Sequence, residues 1–236
     1  MKKLKLFFAI SIALNVILVS LFFMLDNRLG GTKYLIWRAT IGCRTNGENL
    51  GREDHFRSLN GGKGGIIFFG DSMTSNAEWA ELLENSRVKN RGIRGEHITH
   101  MLKRIDETVS SKPDKLFLMA GINDLICDPK ETVAKNLEEL ILDIRKRSPD
   151  TKIYVESLLP INNTIKKTGR NNKDIKWVDS KLAAFCKNNA NIVYINLYDI
   201  FADEKGNLKA EYTYDGGHLN GAGYLKWKEV VAPYCN

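Results

Sequence analysis

The sequence predicts an α/β fold built on a parallel sheet. Two patterns carry this. Short apolar runs at 66–69, 116–120, 153–158 and 192–197 recur down the chain, and they alternate with longer stretches of helical spacing at 77–84, 98–109, 132–147, 174–188 and 223–231. Runs that are apolar on both faces mark strands covered on both sides, and strands alternating with helices pair in parallel.

Each element has its own signal. The first strand, 66–69 (IIFF), follows a glycine-rich stretch ending at Gly65, and the lead-in before it contains a short predicted helix at 53–59. The stretch 88–91 is a weaker fifth strand. In 132–147, Val133, Leu137, Leu140, Ile141 and Ile144 recur at spacings of three and four, which gives one apolar face. With 236 residues, 43% hydrophobic and 27% charged, and only 5 prolines, the chain can build a sizeable core. Disordered, collagen-like and disulfide-dense miniprotein classes are excluded. The net charge of +7 carries no cluster, so it gives no case for a nucleic-acid partner.

The N-terminus differs from the rest. Residues 6–25 carry no charge, are interrupted only by Ser11, Asn15 and Ser20, and follow Lys2, Lys3 and Lys5. As a helix this run would reach about 30 Å, the thickness of a bilayer core. It is expected to be a transmembrane signal anchor over 1–25, followed by a stalk and lead-in over 26–64 and the main folded domain over 65–236. The alternative is a cleaved signal giving a secreted or periplasmic protein. Either way the lysines stay inside and the main folded domain lies outside the cytoplasm. Cys43 is too far from the apolar run to be a lipoprotein cysteine. Cys43, Cys127, Cys186 and Cys235 include no C-x-x-C pair, so zinc-ribbon and thioredoxin-like sites have no support. Disulfides and buried free thiols both remain open for them.

In parallel sheets ligands bind at the carboxyl ends of the strands, and there the chain concentrates its chemistry. Gly70-Asp71-Ser72-Met73 follows the first strand, Arg91-Gly92-Ile93-Arg94-Gly95 the second and Gly121-Ile122-Asn123-Asp124 the third, while Asp215-Gly216-Gly217-His218 precedes the last helix. A serine hydroxyl needs a base, and the base an orienting carboxylate. Ser72 is the candidate nucleophile, His218 the base and Asp215 its orienter, with the intervening glycines letting the chain fold back. The Ser72 and Gly92 backbone N–H groups and the Asn123 side-chain amide are the candidate oxyanion donors.

These four ordered blocks resemble the SGNH hydrolases, or GDSL esterases/lipases, over about three quarters of the chain from Gly65 onward. The four eponymous residues match Ser72, Gly92, Asn123 and His218. The stretches 90–106 and 157–163 are most similar to the platelet-activating-factor-acetylhydrolase-like bacterial branch. Met73 departs from the usual Leu or Ile, a matter of packing beneath the loop. The resemblance implies a three-layer α/β/α sandwich with a five-stranded parallel sheet of flavodoxin-like order, and neither metal nor organic cofactor. It implies a serine esterase acting on small acyl groups, foremost O-acetyl esters of a carbohydrate or cell-envelope glycan. Alternatives are a lysophospholipase or thioesterase, an O-acyltransferase on lipid acyl groups, and a non-catalytic binding module.

The remaining polar residues have structural explanations. Asp71 and Asp124 are expected to accept loop N–H groups. His97 and His100 lie three apart without a third metal ligand, and Trp79, Trp177 and Trp227 read as packing. Asn162-x-Thr164 matches a glycosylation pattern by coincidence. Arg94, the 160–163 loop and Asn220 are expected near the site without an assigned role.

Overall fold

The computed structural model describes residues 2–29, 47–59 and 62–235. Cys43 and the stalk stretch 30–46 lie outside the described residues. The chain divides into two compact units, Met1–Gly42 and Cys43–Asn236.

The first unit contains helix α1 (Lys2–Leu29). Its side chains at Phe7, Ile12, Val16 and Phe23 are exposed, and Asn15 Nδ2 donates to Ser11 O at 2.8 Å. The membrane-spanning anchor expected over 1–25 is not supported: among the described residues no helix is long and apolar enough to cross a membrane.

The second unit opens with α2 (Gly47–Ser58), which inserts Phe56 into the core. Five strands follow: β1 (Ile66–Gly70), β2 (Val88–Gly92), β3 (Lys115–Met119), β4 (Lys152–Glu156) and β5 (Ile192–Ile195). They form one sheet in the order β2-β1-β3-β4-β5, and every pair is parallel. This is the flavodoxin-like order, in which the connection reverses direction beside β1 and opens a crevice between the ends of β1 and β3.

Between the strands run α3 (Ser72–Ser75), α4 (Trp79–Leu82), α5 (Ile98–Lys103), α6 (Ile105–Val109), α7 (Lys130–Arg147), α8 (Asn172–Lys187), α9 (Tyr198–Phe201) and α10 (Gly221–Val231). Helix α7 follows Pro129 and buries Val133, Leu137, Leu140, Ile141 and Ile144, the face expected from spacing. Helices α8 and α10 start on Asn171 and Asn220, whose side chains accept from Asp174 N and Gly223 N. The helix expected over 98–109 is interrupted at Arg104, whose backbone leaves helical geometry while its guanidinium is buried against Glu96.

One sheet face carries an aromatic row. Phe68, Phe117 and Tyr154 are register neighbours on β1, β3 and β4, and their rings stack at 4.5 and 4.7 Å. Trp79 stacks on Phe68 at 4.0 Å and meets Trp227 edge-on at 5.0 Å, so two of the three tryptophans read as packing form one buried cluster. Trp177 is half-buried beneath Lys130 and Lys181.

Trp227 Nε1 donates to Glu156 Oε1 at 2.6 Å. Burial raises the Glu156 carboxyl to about 8 although the Trp227 bond opposes it. The folded protein therefore holds this proton where an unfolded chain, with a carboxyl near about 4.3, has released it. Its contribution is full below the unfolded value and is lost as pH rises to about 8. Measured between pH 5 and 8, Tm is expected to fall less steeply in Glu156→Gln than in the wild type. An equal slope would remove Glu156 as a source.

Candidate active site

The end of β1 delivers Ser72. Gly70 closes the strand where a Cβ would lie 2.3 Å from Thr74 Oγ1 and 2.5 Å from Met119 O, so only a glycine lets α3 turn back this tightly. Asp71 caps α3 by accepting from Met73 N at 2.9 Å, as expected of a structural acceptor. Its carboxyl is fully buried, with Oδ2 unpartnered among the described residues. Burial raises it to about 6, against the Met73 bond and the nearby Arg170 and His218.

Ser72 Oγ lies 3.1 Å from His218 Nε2, and His218 Nδ1 lies 2.8 Å from Asp215 Oδ2. Three groups separated by up to 146 positions thus form one hydrogen-bonded chain. The Asp215–His218 turn is closed by its own backbone. Asp215 Oδ1 accepts from Gly217 N at 2.9 Å and His218 N at 2.7 Å, and Thr213 Oγ1 donates to His218 O at 2.6 Å. Gly216 sits at φ +81, and a Cβ there would meet Asn162 O at 2.4 Å. Burial pushes the Asp215 carboxyl up, but the bonds from the His218 ring and from the His218 and Gly217 N–H groups hold it below the ordinary value. A carboxylate kept ionised beside Nδ1 leaves Nε2 as the acceptor facing Ser72.

The oxyanion elements divide differently from expectation. The Asn123 amide lies at the end of β3, and its Nδ2 donates to Glu96 O at 3.0 Å, which leaves its second N–H for another acceptor. The Ser72 N–H makes no hydrogen bond among the described residues. Gly92 does not offer its N–H, which is donated to Asn90 Oδ1 at 2.8 Å, and its carbonyl accepts from Arg52 Nε at 2.7 Å. A Cβ on Gly92 would fall 2.3 Å from Ser75 N. Gly92 is thus a close-approach position under the turn that carries Ser72, and the donor role expected of it is corrected because its N–H is already donated to Asn90.

The sequence reading passed over Gly95, three residues on. Gly95 has φ +67, open space around its Cβ position and no bond from its N–H among the described residues. It lies between Arg94, which donates to Asn76 Oδ1 at 2.6 Å, and Glu96, whose carbonyl holds Asn123. The sequence contained its signal, a second glycine in the same block, but nothing to rank the two.

The other candidates fall where their structural explanations put them. Asp124 accepts from Ile98 N at 3.1 Å, and His97 Nδ1 lies 3.5 Å from Asp124 Oδ1. Asn162 is buried and donates to Leu208 O, so the glycosylation pattern is turned inward. Asn220, two residues after His218, caps α10 by accepting from Gly223 N at 3.0 Å. Cys186 and Cys235 are free and buried, whereas Cys127 is disulfide-bonded.

Residues 68–226 match the model of the GDSL-like Lipase/Acylhydrolase family. The chain is 29% identical over 171 residues to platelet-activating factor acetylhydrolase IB subunit alpha2 of Homo sapiens, covering 68% of this chain and 71% of the relative. It is 27% identical over 156 residues, 64% of its own length, to N-acylneuraminate cytidylyltransferase of Escherichia coli, of which it spans 35%. A solved structure described as a platelet activating factor from Streptococcus pneumonia superposes with a TM-score of 0.74 at 28% identity, covering 80% of this chain and 93% of that one. An acetyl xylan esterase shares the fold with a TM-score of 0.61 at 20% identity, covering 72% and 99%.

The two glycines are distinguished by substitution. Gly92→Ala must push backbone of α3 aside and is expected to cost about 1–3 kcal/mol or more. Gly95→Ala meets no atoms and is expected to cost about 1 kcal/mol for its left-handed φ. Thermal unfolding of the two variants checks this, and a Gly92→Ala protein as stable as Gly95→Ala would contradict the close-approach role.

Proposed function

Because the chain belongs to the GDSL-like lipase/acylhydrolase family and is a carboxylic ester hydrolase, we propose that it removes small acyl groups, foremost O-acetyl, from a carbohydrate by way of an acyl-serine. Ser72 Oγ attacks the ester carbonyl while His218 Nε2 takes its proton, and Asp215 stabilises the imidazolium that forms. The tetrahedral intermediate collapses by breaking the carbon–oxygen bond to the alcohol, which receives the proton from His218. Water, deprotonated by the same imidazole, then releases the acid and restores Ser72. The Asn123 amide and the Ser72 N–H bind the oxyanion, and Gly95 takes the place first given to Gly92 as third donor.

The observation that carries this proposal is the Ser72–His218–Asp215 chain at 3.1 and 2.8 Å. A compact acyl group is supported by the acetylhydrolase name of a relative at 29% identity. A sugar alcohol is supported by Tyr214, which is 61% exposed with its ring 6.1 Å from His218 and inclined 12° to it, an apolar face beside the leaving-group proton donor. The exposed Ile165 flanks the same turn and favours the second reading, a lipid acyl chain.

We also propose that the catalytic unit works outside the cytoplasm. Lys2, Lys3 and Lys5 before an apolar helix read as an export signal. The disulfide at Cys127 suits an oxidising compartment.

A fluorophosphonate is expected to label Ser72, and Ser72→Ala to lose both labelling and hydrolysis of p-nitrophenyl acetate. A folded wild type inert to both would refute the mechanism. Activity should fall from acetyl to octanoyl esters, and a rise would select the lipid reading. Tyr214→Ala should raise KM for an acetylated oligosaccharide several-fold while leaving p-nitrophenyl acetate within about twofold, the loss of a stacking face being worth about 1 kcal/mol. A membrane-impermeant fluorophosphonate should reach Ser72 in intact cells, and labelling only after lysis would reverse the assigned compartment.

A further inference from the structure

We propose that Arg170 is a positioning residue that sets the orientation of the Asn123 amide and strengthens it as an oxyanion donor. This rests on the role proposed above for Asn123. Arg170 makes two charge-assisted contacts to one short segment: Nε donates to Ile122 O at 2.6 Å and Nη2 to Asn123 Oδ1 at 3.0 Å. With Oδ1 held by the guanidinium and one Nδ2 hydrogen held by Glu96 O, the amide has a single orientation, and its remaining hydrogen is the one free to meet an oxyanion. A flipped amide would turn Nδ2 toward the guanidinium and Oδ1 toward a carbonyl, two repulsive contacts in place of two hydrogen bonds. A cation on the amide oxygen also withdraws electron density from its nitrogen, so that the remaining N–H becomes a stronger donor.

The segment bearing Arg170 is fixed for this purpose. Asn163 Oδ1 accepts from Thr168 N at 2.9 Å and Thr168 Oγ1 at 3.1 Å, and Asn163 Nδ2 donates to Arg170 O at 2.9 Å. One residue earlier, Asn162 N donates to Gly216 O at 2.7 Å, inside the Asp215–His218 turn. Residues 162–170 therefore form a strap that ties the general-base turn at one end to the oxyanion amide at the other. Arg170 belongs to none of the four motif blocks and lies 47 positions from Asn123.

A double-mutant cycle tests this on the full chain with p-nitrophenyl acetate. Arg170→Met is expected to lower kcat by about 10- to 100-fold, less than outright loss of a donor, with KM within about threefold. Arg170→Lys, which keeps the charge but lacks the planar fork that reaches both acceptors from two nitrogens, should fall between. In an Asn123→Ala background, Arg170→Met should cost less than about threefold more, because the group it orients is gone. An equal loss in both backgrounds would overturn the proposal, as would a loss confined to KM or full activity of Arg170→Met. If Arg170→Met fails to fold, Arg170→Lys and Arg170→Gln carry the same cycle. A fully active Asn123→Ala would instead remove the oxyanion role of Asn123 itself, which the single variant shows before Arg170 is touched.

Discussion

The site is organised by one steric constraint: the turn that presents Ser72 is pressed against the ends of β2 and β3, and the contact positions are glycines. At Gly70 a methyl group would overlap Thr74 and the Met119 carbonyl, and at Gly92 it would overlap the backbone of Ser75. Ile93 N donates to Gly70 O at 3.0 Å across the same seam. Close approach here holds Ser72 at the crevice between β1 and β3, where the loops after β2 and β3 also emerge. His218 then needs only one short turn to reach Ser72 from the far end of the chain.

Behind that seam lies a buried ionic cluster. Arg104, 1% exposed, donates Nε to Glu96 Oε1 at 2.6 Å and Nη2 to Glu96 Oε2 and to Arg91 O, while Arg91 pairs with Glu107 at 3.3 Å. The Phe56 ring from α2 is faced by Arg52 at 4.9 Å and Arg91 at 4.8 Å, and Arg52 continues to Gly92 O. Buried charge pairs add little net stability, but directional bonds allow few alternative arrangements. Here they fix the backbone of 91–96, whose Glu96 carbonyl holds the Asn123 amide. The lead-in helix is thereby part of the support for the chemistry.

Periodicity is strong where an element is long or buried on both faces, and there sequence and structure agree. Strands at 66–69, 88–91, 116–120 and 192–197 and the helix at 132–147 recur within a few residues of their expected limits. The strand expected over 153–158 stops at Glu156 because Ser157 Oγ turns to accept from Leu197 N and Tyr198 N. Helices α3 and α9, four residues each, are too short to show a period. The split at Arg104 carries no helix breaker in the sequence; it coincides with the burial of the Arg104 guanidinium against Glu96, a partner eight positions away. The apolar N-terminal run predicted a helix, and α1 forms there.

By itself, the sequence determined the fold class and the strand-end placement of its polar blocks, and it singled out Ser72, His218 and Asp215 as candidates, because apolar period and residue chemistry are local properties. Only the tertiary structure decided that the Gly92 N–H is bonded while that of Gly95 makes no bond among the described residues, that Arg52 and Arg170 reach the loops carrying Gly92 and Asn123, and that Asn162 faces inward. Those outcomes depend on which backbone groups remain unpaired once the sheet has closed. That is settled by contacts across 40 or more positions, such as Arg52 to Gly92 and Arg170 to Asn123, to which no local pattern points.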